Sequence, residues 1–307
     1  EKKQLLEQAA LGMQTIMRDG PISADTWSDR DRCLQWVCES VLLGNEATEH
    51  GFVSQALKKA GLTSPHAGYE LLVKAGIWDR DENITLLRSD QPVDFPDTCL
   101  DITENLHEPS AEELLCDSKR KDLRFLNTFT IDGSATRDFD DAIHIRKKED
   151  GLIEVGIHIT DATCHIPIKS PLFTEARERA TSIYFPEGHI PMLPQRLSFD
   201  LGSLVQGKIR PTISFLVTFT LDGTQVHSSI TPAVIEVKRQ LSYREVDAAI
   251  NQEPGLALLH RFCQQLRQQR VERGALLLSL PDVNIDIRDR DHIQVHLTTV
   301  DTPARNL

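Results

Sequence analysis

The sequence has 307 residues, of which 40% are hydrophobic and 26% are charged, and its formal net charge is −12. This length and composition are typical of a soluble globular protein with two domains and a sizeable core. No segment approaches the roughly 18 uninterrupted apolar residues of a membrane helix, and the N-terminal residues do not resemble a signal peptide. The six cysteines are scattered without a Cys-x-x-Cys pair, which favours reduced thiols in a cytoplasmic protein over a disulfide framework or a zinc site.

The negative charge is unevenly distributed along the chain. Residues 1–117 contain 10 Lys and Arg against 22 Asp and Glu, whereas residues 118–307 contain 24 of each. Four of the acids in residues 118–307 lie in one loop, over 132–141. The rest of residues 118–307 therefore contains more basic than acidic residues. A basic surface around a metal-filled acidic loop suits a polyanionic ligand.

The pattern of apolar residues over 1–90 predicts helices followed by a small β-ribbon. Apolar residues recur with the helical period over 1–18, 31–43 and 50–60, with Gly61 as the stop of the third helix. A fourth helix, 66–75, is expected to begin with a Thr63 or Ser64 cap and Pro65 in its first position, and to end at Gly76. Apolar pairs at 77–78 and 84–87 flank a turn and predict a β-ribbon. These elements predict a winged helix-turn-helix domain over residues 1–90.

This domain is expected to contact protein rather than DNA. Its candidate recognition helix carries Lys74 as the fixed positive charge, whereas base-reading helices carry Arg, Lys, Asn or Gln near their start. Sequence-specific DNA binding is therefore disfavoured. The acidic, proline-containing residues 91–120 predict an irregular linker. The basic run that closes it, 119–124, is either a solvated cluster or a contact to phosphates.

From residue 126 the pattern changes to β-strands. Strands are predicted at 126–132, 141–147 and 153–160, as a hairpin over 213–237, and near 283–287 and 292–297. Helices are predicted from Ser170-Pro171 to Ala180, after a capping box of Ser242 and Glu245, and over 254–273. Residues 182–194 are interpreted as an ordered, proline-rich loop. The fold class is therefore α+β.

The strongest chemical signal is the stretch T-I-D-G-S-A-T-R-D-F-D-D-A-I, which lies between two predicted strands. It places four aspartates within ten residues: Asp132, Asp138, Asp140 and Asp141. Carboxylates this close repel one another, so either solvent or bound cations must offset the repulsion. The spacing matches neither an EF-hand loop nor a D-x-D phosphatase motif. Hard oxygen ligands suit Mg²⁺ or Mn²⁺, and two such ions about 4 Å apart can hydrolyse a phosphodiester. The residues alone leave both a solvated turn and a phosphoryl-transfer site open.

The same stretch resembles the signature of the ribonuclease II family. Further blocks follow the order of that family: V-G-I-H-I-T-D-A at 155–162, the run at 170–198, L-G-S-L at 201–204, L-S-Y-R-E-V at 241–246 and R-G-A-L-L-L-S-L-P-D at 273–282. The resemblance covers about residues 120–307 and implies a catalytic domain of mixed sheet and helix over 121–307.

The resemblance implies processive 3′→5′ hydrolysis of single-stranded RNA to nucleoside 5′-monophosphates. It implies one or two Mg²⁺ ions, replaceable by Mn²⁺, held by the four aspartates. Because Asp140 and Asp141 are adjacent and lie on opposite sides of the turn, we expect these two to coordinate the metal directly. Tyr184 matches the aromatic residue that stacks on a base near the RNA 3′ end.

Other polar residues of this part are assigned less specific roles. We expect His158 and His165 to be structural rather than metal ligands. The arginines of the long predicted helix form either a solvated face or a contact to the RNA backbone: Arg261, Arg267, Arg270 and Arg273.

Two departures from the family pattern shape these expectations. The family usually carries oligonucleotide-binding barrels before the catalytic domain, where this sequence has an acidic helical segment. The sequence stops at T-P-A-R-N-L, where the family continues to an arginine motif and an RNA-binding barrel, so residues 1–307 alone are expected to be a poor enzyme. The rival hypothesis is a catalytically silent RNA-binding or regulatory protein on the same scaffold, against which the intact aspartates argue.

Overall fold

The computed structural model describes residues 2–89, 91–134, 136–278, 280–299 and 301–307. The chain divides into two compact units, Glu1–Val93 and Asp94–Leu307. A helical unit precedes a unit built on a mixed sheet, which confirms the α+β class. None of the described helices is long and apolar enough to cross a membrane.

The described residues of the first unit form five α-helices. They are α1 (Lys2–Asp19), α2 (Arg30–Leu43), α3 (His50–Lys59), α4 (Ala67–Lys74) and α5 (Ile84–Ser89). The apolar stripes of the first four pack around one core, with Met13, Val37 and Leu71 fully buried. Gly61 follows the end of α3 with φ +76, a conformation that favours glycine, and its N–H donates to the Lys58 carbonyl at 3.1 Å. The four predicted helices are thus confirmed.

Two predictions for this unit are wrong. The predicted β-ribbon is absent from the described residues, and 84–89 form α5 instead. The Asn83 side-chain oxygen accepts the N–H of Leu86 at 2.9 Å, which caps the start of that helix. Pro65 is not the first residue of α4, because Ser64 Oγ accepts the N–H of His66 at 3.1 Å and the helix begins only after His66.

The segment predicted to be an irregular linker contains two helices and belongs to the second unit from Asp94 onward. They are α6 (Asp97–Glu104) and α7 (Ala111–Leu115). Cys99 on α6 is buried in a cluster with Leu172 and Leu193. Ser110 and Glu113 form a capping box that begins α7. Both helices are too short for the helical period to be visible in the sequence.

The unit boundary also changes the predicted distribution of charge. The first unit contains 10 Lys and Arg against 14 Asp and Glu, a net charge of −4, and the second contains 24 against 32, a net charge of −8. Eight acids of residues 94–117 therefore belong to the same unit as the aspartate loop. One of them, Glu108, pairs with Arg210 at 2.6 Å and with Lys208 at 3.3 Å. The expectation that the part around the loop is net basic does not hold for the whole unit.

The described strands of the second unit confirm the predicted strands and add a hairpin. In chain order they are β1 (Lys121–Asp122), β2 (Thr128–Asp132), β3 (Asp141–Lys147), β4 (Ile153–Thr160), β5 (Ile183–Phe185), β6 (Gly188–Ile190), β7 (Ile209–Phe219), β8 (Gln225–Ser242), β9 (Asp282–Asp286) and β10 (Gln294–Thr298). The helices that follow α7 are α8 (Pro171–Arg179), α9 (Tyr243–Ala249) and α10 (Pro254–Glu272). The hairpin β5–β6 replaces part of the loop predicted at 182–194.

The main sheet closes on itself through its longest strand. Its order is β1-β8-β2-β3-β4-β7, and β8 additionally pairs with β7. The first part of β8 pairs antiparallel with β7 and its last part pairs parallel with β2, so five strands form a ring of pairings. This closure brings the end of β2, which carries Asp132, beside Ser242 at the end of β8.

The sheet buries alternate residues in the second half of β4, while Ile153 at the start of the strand is also buried. Gly156 and His158 are buried, whereas the side chains of Ile157 and Ile159 are 43% and 37% exposed. Gly156 is required here by close approach, because a Cβ at this position would lie 2.1 Å from His144 Cε1. The alternation of β4 was predicted, but the sequence does not tell which of its two faces lies inside the ring.

Candidate active site

The four aspartates lie where two strands of the ring end and begin. Asp132 is the last residue of β2 and Asp141 is the first residue of β3. The loop that joins them turns at once, since the N–H of Thr136 donates to the Gly133 carbonyl at 3.0 Å. A strand that delivers Asp132 and a turn that delivers the other three were both predicted.

A buried serine anchors the backbone of this loop. Ser203 Oγ accepts the N–H of Phe139 at 3.0 Å and donates to the Arg137 carbonyl at 3.2 Å, and Ser203 is fully buried. The N–H of Leu204 donates to the Phe139 carbonyl at 2.8 Å, and the N–H of Thr160 donates to the Asp140 carbonyl at 2.9 Å. The loop backbone is therefore fixed from two sides. This serine belongs to the L-G-S-L block of the family resemblance, but no role was predicted for it from the sequence.

The environment of Asp132 opposes its ionisation. Loss of surrounding water raises the pKa of Asp132 to about 6, since repulsion from the other three aspartates adds to it and the Thr130 hydroxyl opposes it only in part. Its Oδ2 atom is buried and has no hydrogen-bond partner among the described residues. A buried carboxylate oxygen without a donor is the kind of group that a cation satisfies.

Asp140 is perturbed in the same direction. Asp140 is exposed, so its carboxyl loses only part of its surrounding water. This loss of water is the largest cause that raises the pKa of Asp140, and the charges of Asp138 and Asp141 raise it further. The carboxylates of the loop thus act on one another electrostatically. The four aspartates therefore lie close enough to influence one another's charge, and their joint role as a site stays a prediction.

The donor set fits a hard divalent cation. Within the described ranges, no three His, Cys, Asp or Glu side chains form a group that could hold a metal ion by themselves. Mg²⁺ does not need such a cage, because it keeps several waters and binds through one or two carboxylates together with substrate phosphates. The unpartnered oxygen of Asp132 and the mutual repulsion of the aspartates fit this mode of binding.

Tyr184 lies against the same loop, 46 residues away along the chain. It sits on β5, opposite His189 on β6, and its side chain is 64% exposed. Its hydroxyl donates a hydrogen bond to Asp138 Oδ2. Its ring stacks on His189 with centroids 5.8 Å apart and planes 12° apart, and His189 contacts Phe199 at 5.3 Å. His189 was missed because alternation in so short a hairpin gives no clear signal, and Phe199 was missed because it lies outside the strands, in a helical turn over Leu197–Leu201.

The two histidines expected to be structural are buried. His158 bonds to His144 and to Ser214, each at 2.8 Å, and burial lowers the pKa of His158 to about 3. His165 is 6% exposed, and burial also lowers its pKa. A neutral His158 with both ring nitrogens hydrogen-bonded inside the sheet has a structural role.

The basic residues singled out in the sequence are partly engaged in ion pairs. Arg120 is largely shielded from solvent and pairs with Asp161, with Nη2 2.6 Å from Oδ2, so it is neither a solvated charge nor a free phosphate contact. On α10, Arg267 pairs with Asp301 at 2.7 Å. Arg261 bonds to the Ala257 carbonyl of its own helix at 3.3 Å. These contacts reduce the number of α10 arginines available to a ligand.

Comparison with known protein families gives two matches. The RNB domain matches residues 120–307, and the Double HTH domain matches residues 1–84. The helical character predicted for the N-terminal part agrees with the second match.

Curated relatives extend over both units. A protein of Synechocystis sp. called uncharacterized ribonuclease sll1290 is 32% identical over 279 residues, which cover 89% of this chain and 41% of the relative. Ribonuclease R of Chlamydia trachomatis is 31% identical over 253 residues, which cover 72% of this chain and 36% of the relative. The chain thus spans about two fifths of the length of these relatives.

Solved structures share the fold, and the family follows from the matched domain. Ribonuclease R of Mycoplasma genitalium, in complex with ribose methylated single-stranded RNA, has a TM-score of 0.67 at 23% identity over 77% of this chain and 36% of its own. An active site mutant of the Dss1 exoribonuclease of Candida glabrata has a TM-score of 0.75 at 16% identity over 97% of this chain and 41% of its own. Because the RNB domain alone accounts for more than half of its residues, the chain belongs to the ribonuclease II family.

Proposed function

We propose that this chain carries the catalytic site of an exoribonuclease that degrades single-stranded RNA from its 3′ end. The enzyme would hydrolyse one phosphodiester at a time, release nucleoside 5′-monophosphates, act processively and depend on Mg²⁺, with Mn²⁺ as a substitute. Support comes from the RNB domain and from relatives named ribonuclease R. The protein is proposed to act in the cytoplasm.

The observation that carries this proposal is the buried, unpartnered oxygen of Asp132 within a group of four aspartates. Asp132, Asp138, Asp140 and Asp141 would hold the divalent ion. When bound, such an ion polarises a phosphate oxygen and lowers the pKa of a water that can attack phosphorus. A solvated acidic turn explains the four carboxylates less well, because solvent does not reach the Oδ2 atom of Asp132.

The chain's own residues would position the substrate and the loop. The exposed ring of Tyr184 offers a flat surface on which a terminal base can stack, an interaction worth about 1–3 kcal/mol per base. Ser203 holds the loop backbone, so the carboxylates would not need to reorganise during the reaction. Together these groups would place the last phosphodiester beside the aspartates.

For the helical unit we propose a contact with protein rather than with specific DNA sequences. Its helix α4 carries Lys74 together with Glu70, which leaves little positive charge for reading base edges. The unit as a whole has a net charge of −4.

The test is an RNA degradation assay with the full-length protein. Labelled single-stranded RNA is incubated with Mg²⁺ or with EDTA, and the products are resolved by size. We expect mononucleotides with Mg²⁺ alone, and we expect Asp140→Asn to abolish their release while RNA binding survives. Asp150→Asn is the matched control, because it makes the same chemical change in the turn after β3.

Two outcomes would contradict the proposal. Undiminished nucleotide release by the Asp140→Asn variant would refute the assignment of the aspartates. A retarded but intact RNA band under all conditions would instead favour the silent RNA-binding protein.

A further inference from the structure

The contact between Tyr184 and Asp138 joins two parts of the proposed site that have separate tasks. The ring of Tyr184 is suited to stacking on RNA, whereas Asp138 belongs to the carboxylates suited to a cation. The hydroxyl of Tyr184 donates to Oδ2 of Asp138, so one side chain takes part in both environments.

The tyrosine is held so that its hydroxyl reaches the aspartate. Its ring lies beside that of His189, with planes 12° apart and centroids 5.8 Å apart, and His189 is in turn packed against Phe199. The cross-strand pairing of Tyr184 with His189 fixes the same arrangement from the backbone. Because 64% of the side chain remains exposed, the ring is accessible to a base.

The phenol is a donor to this carboxylate, and the strand pairing and ring contact of Tyr184 hold it in place. A carboxylate that accepts a hydrogen bond from a fixed donor is restricted in orientation. Hydrogen bonds of this kind orient metal-binding carboxylates, and their loss typically weakens metal binding about 10- to 100-fold.

We propose that Tyr184 is a positioning residue for Asp138 and thereby for the divalent cation, in addition to stacking on RNA. This inference rests on the proposed function, since it assigns to one residue of that site a second task. The side chain that receives the terminal base would then also order a carboxylate of the metal site.

The experiment separates the hydroxyl from the ring. Mn²⁺ is titrated calorimetrically into the full-length wild-type protein and into Tyr184→Phe, without RNA, and single-stranded RNA affinity is measured separately in EDTA. We expect the Kd for Mn²⁺ to rise about 10-fold in the variant. We expect RNA affinity to change by less than about twofold, because phenylalanine still stacks.

The matched control is Tyr69→Phe in the helical unit. It removes a hydroxyl that bonds to the carbonyls of Asp79 and Arg80, and we expect Mn²⁺ binding to be unchanged. Equal melting temperatures of wild type and Tyr184→Phe would exclude a general loss of structure as the cause.

Each alternative result has a definite meaning. If wild type binds Mn²⁺ and Tyr184→Phe binds it equally well or more tightly, the positioning role is refuted while the proposed function stands. If wild type shows no saturable Mn²⁺ binding, either alone or with inorganic phosphate as a further ligand, the proposed metal site fails and this inference fails with it.

Discussion

Substitution of Asp132 by asparagine should change how the stability of the protein depends on pH. The protein raises the pKa of this carboxyl from 3.8 to about 6, so the folded state binds its proton more tightly than the unfolded state does. Stability is therefore lost as pH rises between these two values and remains lost above pH 6. Two pKa units correspond to about 3 kcal/mol, an upper figure because Asp132 keeps some contact with solvent.

The perturbation should be visible as a difference between two titrations. Urea unfolding is measured from pH 4 to pH 7 in EDTA for wild type and Asp132→Asn. The unfolding free energy of wild type should fall by up to about 2 kcal/mol relative to that of the variant over this range, because the folded protein loses the Asp132 proton between these pH values. A constant cost of burying the amide does not affect this change, and titrating groups remote from the loop behave alike in both proteins.

An aspartate perturbed in the opposite direction serves as the control. The side-chain hydrogen bond from Arg124 lowers the pKa of Asp122 to about 2, so its contribution to stability is lost only as pH falls below about 4. Asp122→Asn should therefore stay parallel to wild type from pH 4 to pH 7. A difference in unfolding free energy between wild type and Asp132→Asn that stays constant with pH, or that grows in favour of wild type, would refute the reasoning.

Addition of Mg²⁺ at pH 7 should stabilise wild type and not Asp132→Asn.

Two further substitutions test the scaffold of the site. Ser203→Ala removes both bonds that hold the loop at Phe139 and Arg137, so it should destabilise the protein by about 1–3 kcal/mol and lower the rate of RNA hydrolysis, as measured by urea unfolding and a degradation assay. Full activity would show that this anchor is dispensable. Gly156→Ala places a Cβ 2.1 Å from His144 Cε1 and should cost about 1–3 kcal/mol in unfolding free energy, whereas Gly255→Ala, with open space around it, should be neutral. Equal stability of the two glycine variants would contradict the packing described for β4.

Local signals in the sequence predicted much of the secondary structure. Ser170 caps α8, and Ser242 with Glu245 forms the capping box of α9, because these bonds join residues three apart in the chain. The hairpin predicted over 213–237 corresponds to β7 and β8, although β8 continues to Ser242. Where several local preferences compete, as at Asn83, the weak apolar pattern predicted a strand and the capping side chain favoured a helix.

Contacts between distant residues were beyond the reach of sequence patterns. The closure of the sheet depends on β8 pairing with both β2 and β7, which no periodicity reveals. The anchor at Ser203 acts on Phe139 across 64 residues, and Tyr184 reaches Asp138 across 46. The aspartates could be found in the sequence because four like charges within ten residues need an explanation. The resemblance to the ribonuclease II family then indicated RNA as the substrate.

The division of charge shows how composition and tertiary structure can disagree. A cut at residue 117 separates an acidic part from a neutral one, yet the compact unit begins at Asp94. The acidic segment between them belongs to the second unit, where Glu108 pairs with Arg210. RNA binding therefore depends on the charge of the surface near the aspartates rather than on the net charge of a segment of the chain.

The most direct test of the central claim is the order in which labelled nucleotides leave the RNA. Single-stranded RNA labelled at the 3′ end or at the 5′ end is incubated with the full-length protein and Mg²⁺, and products are followed in time. A 3′→5′ exoribonuclease should release the 3′ label at once as a mononucleotide, whereas the 5′ label should stay in long chains and then appear in a short end product. Early release of the 5′ label, or internal fragments from both substrates, would contradict the account.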